Sequence, residues 1–399
     1  MTDDGALRVG VVGVGSMGSH HARVYASSSA VDLVGVADTD RDRAAKIADK
    51  HGTRALDRET LLQAVDAVSV VVPTQFHAPI VREALEADTH VLVEKPFVAD
   101  PAEGRELIDL ADRNDLRLQV GHVERFNPAV RALVDVLPEM EVLAVDARRL
   151  GPPVDRENTD GVVEDLMIHD LDVLLSLFDA EVDEVFAAGI DGEPHVTSTL
   201  RLDNGVLGTV TASRVTHQKI RELAVTGREC RVSVDYLTQS VKIHRHSLPG
   251  YVESNGDVRY RSESVVERPQ VNNGEPLRAE LESFVSAVKT GSTPEVTGHD
   301  GIRAIELVRR IRDAVGGPRA TVAGTGGRLT ANAPVVGSSL RTVRRRRDAR
   351  TNSGRRSETG GSPSRCTGWG RSDCRCRSCT PRRPVPSPAS TSTPSGSRR

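Results

Sequence analysis

The feature that most restricts this chain is a glycine pattern in a particular setting. Gly13, Gly15 and Gly18 lie between an apolar run that reads as a buried strand, RVGVV, and a helical pattern that begins at Ser16 and Met17. Asp38 closes the next apolar run. In such a strand, turn and helix, the first glycine makes the tight turn. The second lets backbone approach a pyrophosphate, and the third lets the helix pack on the strand. The start of the helix offers unpaired N–H groups and positive potential to the phosphates. Asp38, about 20 residues after the last glycine, is placed to accept from a ribose 2′-hydroxyl and to repel a 2′-phosphate, which favours NAD over NADP. Arg41 and Arg43, just beyond it, work against that preference.

The rhythm continues beyond the glycines. A helix ends on Gly52, and the run VDAVSVVVPT (65–74) is almost wholly apolar, as a parallel strand covered on both faces should be. A helix from about Pro79 to Ala87, the strand HVLVEKP, a helix in PAEGRELIDLADRND and the strand LRLQVGH complete the series. Alternation of this kind predicts an α/β Rossmann domain with a doubly wound parallel sheet over 1–123. After Asn127 come a helix, the strand EVLAVDARRL, an apolar helix around VVEDLMIHDLDVLLSLF, and a succession of strands from Asp183 to His246 divided by turn signals. This predicts an α+β domain with a large, mostly antiparallel open sheet over 124–317, in which 249–274 is a polar loop and two amphipathic helices close the fold.

Charge divides the chain at Pro318. The segment 319–399 holds 18 arginines, no lysine and three acids, whereas the remainder carries a net charge of -18. A body this acidic, with six lysines in the whole chain, is similar in composition to proteins of salt-loving organisms and argues against a nucleic-acid partner. No run approaches the roughly 18 apolar residues that a spanning helix needs. The acidic leader lacks the layout of a signal peptide, so a cytoplasmic protein with no membrane partner is expected. Only Cys230 lies in the body, which excludes a disulfide within it. The tail keeps no apolar period and is expected to be disordered. Its composition is what an out-of-frame read of a GC-rich gene produces; its cysteines, Cys366, Cys374, Cys376 and Cys379, would also suit zinc, and Arg344 to Arg347 an acidic surface.

Two places in the body carry chemistry. Glu94-Lys95-Pro96 ends a strand, and strand ends of an open α/β sheet face the ligand crevice. Asp165 and His169, four apart in an apolar helix, share a face, and Asp172 follows. A histidine titrating near neutrality can take a hydroxyl proton as hydride leaves carbon. The same residues would also suit a solvated lysine paired with Glu94 and a core histidine satisfied by a carboxylate. No third His or Cys stands at metal-ligand spacing, so no metal is expected.

Gly13-Val14-Gly15-Ser16-Met17-Gly18, Pro73-Thr74 with His77, Glu94-Lys95-Pro96 and Asp165 to His169 together resemble the glucose-fructose oxidoreductase/inositol dehydrogenase (Gfo/Idh/MocA) family over about residues 7–317. The resemblance implies a cofactor site built from the glycine loop with Ser16, Met17 and Asp38, from Pro73, Thr74 and His77, and from Glu94 and Lys95. It further implies that Lys95 polarises the reacting hydroxyl, that His169 is the base and that Asp165 orients substrate. VGHVERFNPAV, EDLMIHDLDVLLSL and HQKIRELAVTGRECRVSVDYLTQ look like the UDP-N-acetylglucosamine 3-dehydrogenase branch, which implies oxidation at C3 to a 3-keto nucleotide sugar. A diphosphate substrate wants cations, and Arg125, Arg148, Arg214, Lys219 and Arg221 are available, with Asn127 beside them. Pro73-Thr74-Gln75 departs from the family's Thr-Pro-Asn element. A free-polyol dehydrogenase and a catalytically silent NAD-binding regulator are the rival readings, and the family implies a homo-oligomer formed through the second-domain sheet.

Overall fold

A computed structural model describes residues 5–153, 161–178, 180–246, 250–254, 257–261 and 264–316. The expectations for the tail beyond 318, its cysteines included, lie outside the described residues.

The N-terminal part is the doubly wound sheet expected. Strands β1 (Leu7–Val12), β2 (Val31–Ala37), β3 (Arg54–Ala55), β4 (Ala67–Val70), β5 (His90–Glu94) and β6 (Leu118–Gly121) are all parallel, in the order β3-β2-β1-β4-β5-β6. Strand order reverses between β1 and β4, which opens a crevice beyond their C-terminal ends, where ligands of such sheets bind. Helices α1 (Ser16–Ala26), α2 (Arg41–His51), α3 (Arg58–Ala64), α4 (His77–Glu86) and α5 (Pro101–Arg113) return the chain. Their ends follow local chemistry: Asp40, Asp57 and Asp100 cap α2, α3 and α5 through their side chains. Gly52 stops α2 at φ 67°, where a side chain would be strained.

Helix α6 (Pro128–Val136) leads into the second sheet, which is built from β7 (Val142–Leu150), β8 (Val182–Gly189), β9 (His195–Leu202), β10 (Leu207–Ser213), β11 (Ile220–Gly227), β12 (Cys230–Asp235), β13 (Ser240–His246), and, later in the chain, β16 (Ser264–Glu267). Their order is β16-β13-β12-β11-β7-β10-β9-β8, and every pairing is antiparallel except β7 with β10. One correction concerns 249–274, expected to be a polar loop. It contains the hairpin β14 (Gly250–Ser254) and β15 (Asp257–Arg261) as well as β16. Polar composition hid them, because an edge or two-stranded ribbon needs no apolar face of its own.

A second correction concerns the helix carrying Asp165 and His169. Its first turn, Val163–Met167, is a π-helix, and regular α7 (Ile168–Leu177) begins only at Ile168. Widened turns of this kind are frequent at functional sites. The wide turn leaves the main-chain oxygen of Asp165 to accept from a lysine. Two further helices, α8 (Pro276–Thr290) and α9 (Gly298–Gly316), return to the nucleotide-binding half. Leu277, Leu281 and Phe284 of α8 share a core with Val9, Ala22 and Tyr25, and Ile302 and Ile305 of α9 share one with Phe97 and Leu107. Among the described residues no helix is long and apolar enough to cross a membrane.

Candidate active site

The glycine loop has the form of a phosphate cradle. Gly13 has φ +87°, and a Cβ there would lie 2.2 Å from the Val71 carbonyl oxygen. A Cβ on Gly18 would lie 1.8 Å from the Gly13 carbonyl oxygen, whereas a Cβ on Gly15 would meet open space. Two of the glycines are therefore required by the fold. The third keeps an approach clear. Gly15 caps α1 without a side-chain hydrogen bond, leaving the first-turn N–H groups at Ser16 and Met17 for an anion. Asp38 Oδ2 accepts from Val14 N (2.8 Å) and Oδ1 from Asp40 N (2.9 Å), while Arg43 approaches at 3.4 Å. A dinucleotide fits these residues: cradle, helix start and acid all lie along the switch in strand order.

Pro73 and Thr74 open a 3₁₀ turn above β4. His77 lies buried behind it, with Nε2 2.8 Å from the Val72 carbonyl and Nδ1 2.9 Å from that of Pro96. Its task is to hold the Pro73 loop to the Lys95 loop. Burial pulls the imidazole below its ordinary range, despite the carbonyls around it. Glu94 is likewise buried, accepting from Lys95 N (3.2 Å) and facing His21 Nε2 (3.1 Å).

Lys95 itself reaches across to the π turn. Its Nζ donates to Asp165 Oδ1 and to the Asp165 carbonyl, both at 2.9 Å. Arg214 donates to the other carboxylate oxygen, Oδ2. Burial works against the charge of Asp165, but Lys95 and Arg214 outweigh it and hold the carboxyl below its usual range. His169 stands in the same group. Burial first, then Lys95, Arg149, the neighbouring His122 and Arg221, push its imidazole well below the ordinary value. It is therefore neutral at neutral pH, as a proton acceptor must be. Its Nδ1 is buried without a partner among the described residues.

The expected substrate ligands separate in the structure. Arg125 makes two bonds to Asp172 (2.8 and 2.6 Å) and approaches Asp300 at 3.2 Å, so its charge is matched within the fold. Asn127 is 2% exposed; it caps α6 and donates to the Tyr236 carbonyl. Both side chains are engaged within the fold: a buried charge or amide keeps its native partners, because leaving them unpaired is costly. Lys219 is exposed before β11. Arg221 differs from all of these. It stands opposite Arg149 in the β7–β11 register, and burial together with the Arg149 charge pulls it down to about 10. Arg149 is occupied by Asp170 and Glu124, while Nη1 of Arg221 is buried with no partner among the described residues. The His21–Glu94 contact and the Arg149–Asp170 pair had no signal in the sequence beyond their residue types, since spacing says nothing about pairing across 73 or 21 positions.

Comparison with known proteins decides the family. Residues 7–122 match the Gfo/Idh/MocA oxidoreductase family's NAD-binding Rossmann fold, and residues 145–323 its C-terminal alpha/beta domain. This chain is a Gfo/Idh/MocA oxidoreductase. The UDP-N-acetylglucosamine 3-dehydrogenase of Acidithiobacillus ferrooxidans is 34% identical over 317 residues, covering 77% of this chain and 97% of that protein. A solved structure of that enzyme superposes with a TM-score of 0.69, covering 78% of this chain and 98% of that one. An inositol 2-dehydrogenase of Rhizobium meliloti is 26% identical over 313 residues, 75% of this chain and 94% of that one. A Lactobacillus casei scyllo-inositol dehydrogenase, solved with NAD(H) and scyllo-inositol, shares the fold at a TM-score of 0.65 and 19% identity, covering 78% and 97%. The family makes the chain an oxidoreductase, its relatives are dehydrogenases, and the NAD-binding fold supports a nicotinamide cofactor.

Proposed function

We propose that this oxidoreductase uses NAD to oxidise a secondary hydroxyl on a nucleotide-linked sugar, with C3 of UDP-N-acetylglucosamine as the leading substrate. NAD, bound along Gly13, Gly15, Gly18 and Asp38, supplies the hydride acceptor. The protein supplies the rest. Lys95, steadied by Asp165, donates to the substrate oxygen and stabilises it as the carbonyl forms. His169 takes the hydroxyl proton, and Asp165 fixes the geometry of both cations around it.

The observation that carries the nucleotide-sugar reading is Arg221. A buried guanidinium N–H with no partner among the described residues, repelled by Arg149, suits an anion, and a sugar diphosphate supplies one whereas a free polyol does not. The relative at 34% identity supports the same substrate. A silent regulator would have no need to converge Lys95, Asp165 and His169. The deciding experiment is NAD and NADP reduction measured against UDP-N-acetylglucosamine, other UDP-sugars and free inositols. Turnover confined to inositols sinks the nucleotide-sugar assignment, and faster turnover with NADP sinks the cofactor assignment.

Arg221→Met should raise KM for the UDP-sugar about 10-fold or more, the loss of a charge-assisted hydrogen bond. The variant should melt no lower than the parent, because a half-buried cation repelled by Arg149, with one N–H unpaired among the described residues, is removed. An unchanged KM removes Arg221 from the substrate site. We further assign self-association to the outer face of the second sheet, where Phe186 is 61% and Leu207 44% exposed beside the Thr197–Thr211 contact. Phe186→Glu is expected to reduce the assembled mass in light scattering; an unaltered mass would place the contact elsewhere.

A further inference from the structure

His122 has no place in the chemistry so far, yet its position is unusual. In the parallel β5–β6 pair Glu94 lies opposite Gly121, so the next residues, Lys95 and His122, leave the sheet side by side at its C-terminal edge. His122 is 1% exposed, and neither ring nitrogen has a hydrogen-bond partner among the described residues. A buried imidazole with both nitrogens unpaired calls for a reason, since buried polar atoms are nearly always bonded. Around the ring stand Asp172 of α7, Arg125 of the following turn, Lys95, and Asp300 of α9. Asp172 Oδ2 lies 3.9 Å from His122 Nδ1, and its carboxylate is fixed by Arg125.

His169 has the complementary need. To take a proton at Nε2 it must carry its hydrogen on Nδ1, and that Nδ1 is buried without an acceptor among the described residues. Of the side chains near enough to act on His169, namely Lys95, Arg149, His122 and Arg221, only a neutral imidazole can accept a hydrogen bond. The turn Val123–Phe126 that follows His122 packs on α7, which carries His169.

We propose that His122 is the positioning residue for the base: its Nδ1–H faces Asp172, and its Nε2 accepts, across one water, the Nδ1–H of His169. The order is therefore carboxylate, imidazole, imidazole, substrate hydroxyl. When His169 becomes an imidazolium, the same bond strengthens and steadies the charge. Burial keeps His122 itself neutral over the working range, which leaves its Nε2 free to accept.

The inference rests on His169 being the base, and its test separates the two. Ring ¹⁵N spectra of the full chain should show His169 protonated on Nδ1, and His122→Phe should convert it to a mixture of tautomers. With UDP-N-acetylglucosamine and NAD, His122→Phe should lower kcat at least about tenfold while KM stays within a few-fold. The acid limb of its kcat/KM profile should move to lower pH, since the imidazolium has lost its acceptor. His122→Gln, which restores an acceptor, should recover part of the rate, and melting curves check that both variants fold. An unshifted limb with the wild-type tautomer, or a Gln variant as slow as the Phe variant, overturns the role of His122. Full turnover in His169→Ala overturns the base assignment instead.

Discussion

Lys95→Ala and His169→Ala should each lower kcat by about 10² to 10⁴-fold, the range expected for loss of a positioned acid or base, while NAD affinity stays nearly constant. The separation of effects follows from geometry. Lys95 Nζ is held by Asp165, at 2.9 Å, and His169 lies within the influence of Lys95, Arg149 and Arg221, whereas the phosphate cradle is made by Gly13, Gly15 and the start of α1. Because the His169 imidazole is pushed well below its ordinary range, wild-type kcat/KM should remain high at pH values where an ordinary histidine would already be protonated. Stopped-flow turnover and a fluorescence titration with NAD read the two quantities. A variant that loses cofactor affinity in step with turnover, or loses neither, contradicts the assigned roles.

Glu280→Gln should leave the melting temperature almost unchanged at pH 5 and raise it by roughly 5–10 °C at pH 8. Glu280, on α8, is 0% exposed, and neither carboxylate oxygen has a partner among the described residues. Burial first, then the charges of Glu94, Asp172 and Glu295, push its carboxyl well above the ordinary 4.5. Glu94 keeps its charge because it faces His21 and Lys95, which outweigh its burial. Above pH 4.5 the unfolded chain has released the Glu280 proton while the folded protein retains it, so the native state binds more protons and stability falls as pH rises. The loss is about 1.4 kcal/mol per pH unit until the folded carboxyl ionises. Glutamine has the same shape and cannot ionise. Buried histidines with lowered values, among them His77, His122 and His169, act in the opposite sense: they take up protons on unfolding below about pH 6.5 and lower stability there. Both proteins share that acid branch, so the difference between their melting curves isolates Glu280. Parallel curves from pH 5 to pH 8 would mean that Glu280 is already ionised in the native state.

The order of strands and helices in the nucleotide-binding half was legible because each element carries its own signal there: apolar runs for buried strands, Asp caps for helices, glycines for turns. Where an element is stabilised by its neighbours, the signal was weak. The hairpin Gly250–Ser254 and Asp257–Arg261 is polar and passed for a loop, and the π turn Val163–Met167 is indistinguishable in pattern from the α-helix it precedes.

The same division holds at the site. Gly13, Gly15, Gly18 and Asp38 announced a dinucleotide fold without any structure, since turn, approach, packing and ribose contact each require one residue type at one spacing. Lys95 and His169 were visible as reactive groups at suggestive places. The fate of the cations was not visible. Arg125, Arg149, Arg214 and Arg221 are chemically alike in the sequence, yet three are bonded to carboxylates of Asp172, Asp170 and Asp165, and Arg221 has a buried N–H left over. That allocation, like the placing of His122 beside Lys95, depends on which side chains distant strands and helices bring within hydrogen-bond reach. Local sequence determines the backbone pattern through short-range sterics and burial, but the pairing of charges is a long-range property that only the tertiary fold decides.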